Sequence, residues 1–380
     1  MSSDDSKESL SIPLSEAGET QGHGPLPHMP ALDGMRGFAV LAVVAYHFLP
    51  REGANGLFQL ASAGWIGVDF FLVLSGFLIT SILLLQRGRP RAIRKFYIRR
   101  ALRLFPLYYF IAALTAVMIA ALGLGWSRWQ IGYLLYAANY MIILHPGSAT
   151  IGPLSVLHTW TLALEEQFYF IWPWIVLTGR LDRRHLVRLC AAVILLSPVL
   201  RAVLWHFGAT EPVLQMNLVT RLDSLLFGAV MALHGLPSRT TSRWIVAASL
   251  GFIVLCVWLS HSCSLRVPPM NTLGLTATSA LAAGCLALAL KPGSWVNRFC
   301  ILPPLRFFGR YSYGIYLWHF FLGSFWLLGA HALSHAWNLQ PAVSGLATFF
   351  IALAGSTILA LASYWILERP FLQLKDRFEA

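Results

Sequence analysis

An arginine and a histidine eleven residues apart, Arg36 and His47, bracket an otherwise apolar run near the start of this 380-residue chain. On a helix that separation is three turns plus about 20°, so both side chains face one side at depths roughly 16 Å apart. An imidazole suits general-base work near neutral pH, and a guanidinium fork matches phosphate oxygens. Further ionisable residues interrupt later apolar stretches: Asp69, His158, Glu165, Glu166, Arg221, Asp223 and His319. Such groups at membrane depth are costly unless they face a bundle interior or a pocket, so a collection spread over several helices points to a functional site. A histidine beside a carboxylate suits proton abstraction from a hydroxyl. The basic cluster Arg94-Lys95, Arg99, Arg100 and Arg103 suits a phosphate-rich ligand.

Each of these residues also has a plainer reading. Arg36 serves as a positive-inside anchor with His47 an incidental core residue, and the Arg94–Arg103 cluster stops membrane transfer. Asp69 caps a helix or pairs within the bundle, His319 is a satisfied core histidine, and one of Glu165 and Glu166 makes a structural ion pair. Arg221 and Asp223 are two apart, so they point to different faces and pair with other helices rather than with each other.

The elements that must position these residues are apolar spans. The chain is 57% hydrophobic and 12% charged, with a mean hydropathy of +0.64, which marks an all-α polytopic membrane protein. Spans are predicted at about Met35–Leu49, Gly64–Leu85, Leu104–Gly123, Leu157–Thr178 and Leu186–Phe207. Five more fall at about Leu214–His234, Arg243–Ser260, Met270–Leu290, Arg310–Ala330 and Ala342–Leu367. An eleventh apolar stretch, Ile131–Leu144, has only 14 residues. If it does not cross, 23 of the 28 Lys and Arg fall on one side or at its border, which by the positive-inside rule is the cytoplasm. Ten spans with both termini cytoplasmic follow, and Ile131–Leu144 becomes re-entrant or interfacial, tolerated at depth only against protein or a cavity.

On that sidedness His47, Asp69, His158, Glu165, Glu166, Arg221 and Asp223 lie toward the outer half, with His319 near mid-depth. Asp33, Arg36, the Arg94–Arg103 cluster, Arg310 and Glu368 lie toward the cytoplasm. Residues 1–30, rich in Ser, Asp, Glu, Gly and Pro, read as a disordered cytoplasmic tail and not a signal peptide; residues 372–380 form a second tail. The net charge of +12 follows membrane topology and does not call for nucleic acid. The five cysteines show no CxxC or ligand-like spacing, so neither a disulfide framework nor a metal site is expected. Internal repeats are not evident, which disfavours many secondary transporters.

At these residues the chain resembles the membrane-bound acyltransferase family 3, integral-membrane O-acyltransferases of bacterial glycans and some antibiotics. The resemblance rests on ordered segments: LDGMRGFAVLAVVAYH (Leu32–His47) with its R-x10-H pattern, GWIGVDFFLVLSGFLIT (Gly64–Thr80) and FYIRRALRLFPLYY (Phe96–Tyr109). HTWTLALEEQFYFIWP (His158–Pro173), RLDSLLFG (Arg221–Gly228), GRYSYGIYLWH (Gly309–His319) and ERP (Glu368–Pro370) complete the order. Together they cover residues 31 to 371, and Thr161 stands where the family often has Ser.

The resemblance implies transfer of an acyl group, usually acetyl, from cytoplasmic acyl-CoA to a hydroxyl of an extracytoplasmic or lipid-linked carbohydrate, with no bound cofactor. It puts His47 and Arg36 at the centre of activity. The expected site then has Arg99, Arg100 and Arg103 on the donor's phosphates, and His47 oriented by Glu165 or Asp69 as general base or transient acyl carrier. Asp33, His158, Glu166, Arg221, Asp223, Ser312 and His319 support the pocket, Arg221 or Ser312 facing the developing oxyanion. Some relatives carry a fused extracytoplasmic SGNH esterase-like domain, so the resemblance leaves open direct transfer or a separate extracytoplasmic partner. The competing readings are acylation of a small molecule such as a macrolide, a transporter of acylated glycans without chemistry, and a structural scaffold.

Overall fold

The computed structural model describes residues 28–50, 61–125 and 128–375. Residues 1–27 of the expected N-terminal tail, 51–60 of an expected outer loop and 376–380 of the expected C-terminal tail lie outside the described residues. The described chain is helical apart from a two-residue antiparallel ladder, Thr150–Ile151 with Leu154–Ser155. Among the described residues, eight helical stretches are long and apolar enough to cross a membrane.

Helix α1 (Pro30–Phe48) starts on a proline, whose fixed φ favours a first turn, and ends where Leu49 turns extended ahead of Pro50. Helix α2 (Ile66–Gln86) follows, then α3 (Ala92–Ala121). The apolar run of α3 was expected to begin at Leu104, but the helix starts twelve residues earlier, because arginine and lysine are good helix formers that a hydropathy window excludes. At 30 residues it is about 45 Å long, more than a hydrocarbon core needs, so its arginine-bearing turns extend the helix past the apolar layer or tilt it.

The stretch Ile131–Leu144 forms two short helices, Ile131–Leu134 and Ala138–Leu144, with Tyr136 left-handed between them. Its buried Asn139 exchanges amide hydrogen bonds with Gln167, which also donates to the Tyr136 carbonyl. Gln167 belongs to α4 (Trp160–Leu177), a helix of 18 residues that carries Glu165 and Glu166 and falls outside the eight strongly apolar stretches.

Helices α5 (Arg183–His206), α6 (Leu218–His234) and α7 (Arg239–Ser260) begin at Asp182, Asn217 and Ser238, whose side chains accept first-turn amide protons. A π-turn at Met270–Gly274 leads into α8 (Leu275–Ala289). The expected ninth span is broken at Leu322 into α9 (Ser312–Phe321) and α10 (Gly323–Ala336). The last long helix, α11 (Pro341–Ser363), continues through a π-turn at Tyr364–Glu368.

The interior is made by α1, α2, α4, α6, α8 and α9. Met35 and Ala39 of α1 meet Phe70, Leu74 and Phe77 of α2 and Ala282, Ala283 and Leu286 of α8. Leu72 and Ile79 of α2 meet Leu164 and Trp172 of α4 and Leu225 and Leu226 of α6. Large apolar side chains point outward from α5, α7, α10 and α11, among them Leu195, Trp258, Leu328 and Phe350, as a lipid-facing surface requires.

Backbone contact fixes where the site-bearing helices lie. A Cβ added at Gly37 would stand 1.9 Å from the Leu305 carbonyl oxygen, and one at Gly34 1.6 Å from that of Cys300. A Cβ at Gly228 of α6 would stand 2.0 Å from the Val73 carbonyl oxygen of α2. In lipid, where helices gain nothing by hiding apolar surface from each other, such close approach supplies the packing. Gly37→Val and Gly228→Val should each exceed the about 1–3 kcal/mol usual for overpacking and lower the Tm of the detergent-solubilised protein. Gly251→Ala, whose Cβ meets nothing within 4 Å, should leave Tm unchanged or raise it slightly.

Candidate active site

Two cavities inside the bundle share part of their lining. One, of about 460 Å³, is lined by Asp33 and Arg36 of α1, Ser75 of α2, Arg100 and Arg103 of α3, Thr161 and Glu165 of α4, and Ser312, Tyr313 and Tyr316 of α9. The other, of about 210 Å³, is lined by His47, Asp69, His158, Glu211, Gln215 and Arg221, with Tyr46, Trp65, Trp160, Tyr316 and Phe320 as aromatic walls. We call them the arginine cavity and the histidine cavity. Arg36 and His47 thus open into different spaces, as their separation along α1 demands.

In the arginine cavity, Arg36 pairs with Asp33 at 3.7 Å, and Asp33 also accepts from His28 at 2.7 Å. Arg100 lies with its guanidinium 3.5 Å from the centre of the Tyr169 ring, its Nε donating to Glu166 at 3.3 Å and an Nη 3.9 Å from Glu165. Tyr169 in turn shares a hydrogen bond with Ser75. Arg103 follows Arg100 by three residues and shares its face of α3, whereas Arg99 projects elsewhere and does not line this cavity. Glu165 and Glu166, read from sequence with the outer group, sit beside Arg100 instead. They follow His158, which stands in the turn before α4, by seven and eight residues, and neither lines the histidine cavity.

In the histidine cavity, His47 Nδ1 lies 3.2 Å from His319 Nε2, and His319 Nδ1 lies 2.6 Å from the Tyr316 carbonyl oxygen. A carbonyl only accepts, so neutral His319 keeps its proton on Nδ1 and offers the Nε2 lone pair. His47 Nδ1 must then donate, which makes His47 Nε2 the basic nitrogen. The group that meets His47 Nδ1 here is the His319 ring, while sequence had offered Glu165 or Asp69 for that place. Asp69 is otherwise engaged: its Oδ1 accepts from Arg221 at 2.8 Å, Ser279 at 3.0 Å and Ser224 at 3.2 Å. Asp69 Oδ2 and Arg221 Nε and Nη1 are buried and have no hydrogen-bond partner among the described residues, an arrangement that fits a polar ligand in the cavity they line. His158 lies 5.5 Å from His319, ring centre to ring centre.

Asp223 lines neither cavity. It is bridged by Arg201 of α5, whose Nη groups reach its carboxylate at 3.2 and 2.8 Å, while Thr276 donates to the same carboxylate at 2.7 Å. Arg201 also donates to the carbonyls of Thr272 and Thr220. Arg221 and Asp223 do pair with different helices, as their spacing requires. Sequence reasoning passed over Arg201 as the anchor of Asp223, although an arginine in mid-span was itself the signal that a buried acid must be near. It also passed over Tyr316 and Tyr169, which stood inside quoted motifs. Ser312 reaches the arginine cavity and not the imidazoles. Among the described residues no group of three or more His, Cys, Asp or Glu is placed to hold a metal ion.

A family model described as an acyltransferase domain matches residues 29–365. The chain is 35% identical over 316 residues to "Putative peptidoglycan O-acetyltransferase YrhL" of Bacillus subtilis (strain 168), covering 77% of this chain and 48% of that one. It is 30% identical over 313 residues to "Peptidoglycan O-acetyltransferase OatA" of Listeria monocytogenes, covering 77% and 49%. To "O-acetyltransferase OatA" of Staphylococcus aureus it is 29% identical over 336 residues, covering 80% and 52%. The chain thus spans about half the length of these curated relatives. No solved structure matches.

The Arg201–Asp223 bridge yields a test of the scaffold around the site. Arg201→Met alone leaves a buried carboxylate uncompensated and should cost about 3–5 kcal/mol, read as a lower Tm. Adding Asp223→Leu should restore most of that loss, because the pair's removal strands no charge.

Proposed function

The chain belongs to the family of that acyltransferase domain, and on this premise we propose that it carries an acetyl group from acetyl-CoA in the arginine cavity to a carbohydrate hydroxyl in the histidine cavity. The observation that carries this reading is the contrast between two adjoining spaces. One gathers three guanidinium groups, and the other His47 and His158, buried polar side chains and aromatic walls. Guanidinium forks hold phosphates, so Arg36, Arg100 and Arg103 take the nucleotide end of the coenzyme, and its thioester points toward Tyr316. The histidine cavity is smaller than the roughly 300–1,000 Å³ of pockets for drug-sized ligands, which suits one sugar ring at a time. Trp65 and Trp160 offer stacking faces to that ring, and Asp69 with Arg221 hydrogen-bond its substituents.

His47 acts as the base. The sugar hydroxyl gives its proton to His47 Nε2 while its oxygen bonds to the thioester carbonyl carbon. The C–S bond then breaks, and the departing thiolate takes the proton back from the imidazolium. His319 holds His47 in the tautomer this step needs, as the orienting partner of a catalytic histidine does. The Bacillus subtilis and Listeria monocytogenes relatives are named for peptidoglycan as the acceptor; here the acceptor we propose is a cell-wall glycan or its lipid-linked precursor. The membrane arrangement that serves this chemistry has ten crossings, both termini in the cytoplasm and Ile131–Leu144 re-entrant, within the cytoplasmic membrane. The basic loops on one side support it.

Proteoliposomes given radiolabelled acetyl-CoA and peptidoglycan fragments test the proposal: label covalently on the glycan supports it, and label merely accumulated across the membrane overturns it in favour of transport. His47→Ala should lower kcat by about 10²–10⁴-fold, the usual scale of general-base catalysis, with the protein still folded. Arg100→Ala with Arg103→Ala should raise the KM for acetyl-CoA about tenfold or more while changing kcat less, since hydrogen bonds to charged groups are worth about 1.5–3 kcal/mol. An unchanged donor KM would remove the phosphate-binding role.

A further inference from the structure

The two cavities share two wall residues, Val68 and Tyr316. Tyr316 is buried, its ring between Phe71 at 6.0 Å and His158 at 5.6 Å. Its hydroxyl lies 2.7 Å from Thr161 Oγ1 and 3.1 Å from the His158 carbonyl oxygen. Thr161 Oγ1 lies 3.1 Å from that same carbonyl. Three oxygens therefore form a triangle served by two hydroxyl protons. Whether the tyrosine donates to the threonine and the threonine to the carbonyl, or the reverse, both protons are spent inside it. The triangle is closed on itself and offers no donor to either cavity. It spans α4 and α9, and the same Tyr316 presents its carbonyl to His319.

We infer that Tyr316, latched to Thr161, is the gate between donor and acceptor: closed, it keeps water of the histidine cavity off the thioester, so that donor is consumed only when a sugar opens it. This rests on the transfer reading above. With the gate lost, water replaces the sugar. Its proton goes to His47, its oxygen bonds to the thioester carbonyl carbon and the C–S bond breaks. Acetate and the free thiol of coenzyme A leave, the thiolate taking up the proton. Nothing beyond water and the donor is required. Tyr316 is thus a positioning residue whose loss uncouples the reaction rather than merely slowing it.

The test uses the full chain in liposomes with acetyl-CoA and no glycan, and follows release of the coenzyme A thiol. Thr161→Val exchanges a hydroxyl for a methyl at nearly constant volume, and Tyr316→Ala removes the gate. Each should raise glycan-independent thiol release about tenfold over wild type, the scale of one hydrogen bond or more. Adding His47→Ala should cancel that rise. If Tyr316→Ala does not fold, Thr161→Val decides alone. Release within about twofold of wild type, from a protein that still transfers acetyl to glycan, overturns the gate and leaves the transfer reading standing. A wild type that consumes no acetyl-CoA even with glycan overturns both.

Discussion

A charge inside a lipid layer cannot be left alone, and two buried ion pairs answer that constraint here. Arg221 of α6 reaches Asp69 of α2, and Arg201 of α5 reaches Asp223, two residues further along α6. Ser279 and Thr276 of α8 donate one further hydrogen bond to each carboxylate. Four helices are thereby held in one arrangement, since any slippage would part a buried charge from its partner. Part of the wall of the histidine cavity belongs to that cross-braced set, through Asp69 and Arg221, whose remaining polar atoms have no partner among the described residues.

The helices that carry the site serve both cavities at once. α1 presents Arg36 to one and His47 to the other; α2 presents Ser75 and Asp69, and α4 presents Glu165 and Trp160. On α9, Ser312 faces the arginine cavity, Tyr316 stands between the two, and His319 backs His47. The arginine cavity and the histidine cavity are therefore linked by rigid rods of about 1.5 Å per residue. Glycine contacts such as Gly37 against the Leu305 carbonyl keep those rods from sliding.

Much of this was legible in the chain because lipid makes hydropathy a strong signal. The apolar runs located most helices, and the offset of Arg36 and His47 already set the two at different depths. Helix ends were less legible where charged residues continue a helix, as in the arginine-bearing start of α3, and where Leu322 breaks an apolar run into α9 and α10. Pairings between distant helices were not legible at all. Nothing in the order of residues says that His47 meets His319 rather than an acid, or that Glu165 lies with Arg100. Those choices are made by packing among residues more than a hundred positions apart in the first case and 65 in the second.

The small size of the histidine cavity bears on the length of the group transferred. In the proposed reaction a coenzyme of constant length, anchored by arginines on fixed helices, always delivers its carbonyl to the same depth. Each methylene beyond that carbonyl must then occupy room that the sugar also needs, in a space of about 210 Å³. In that reaction a two-carbon cargo would leave the ring its place and a fatty chain would evict it, so the cavity itself would favour a short cargo.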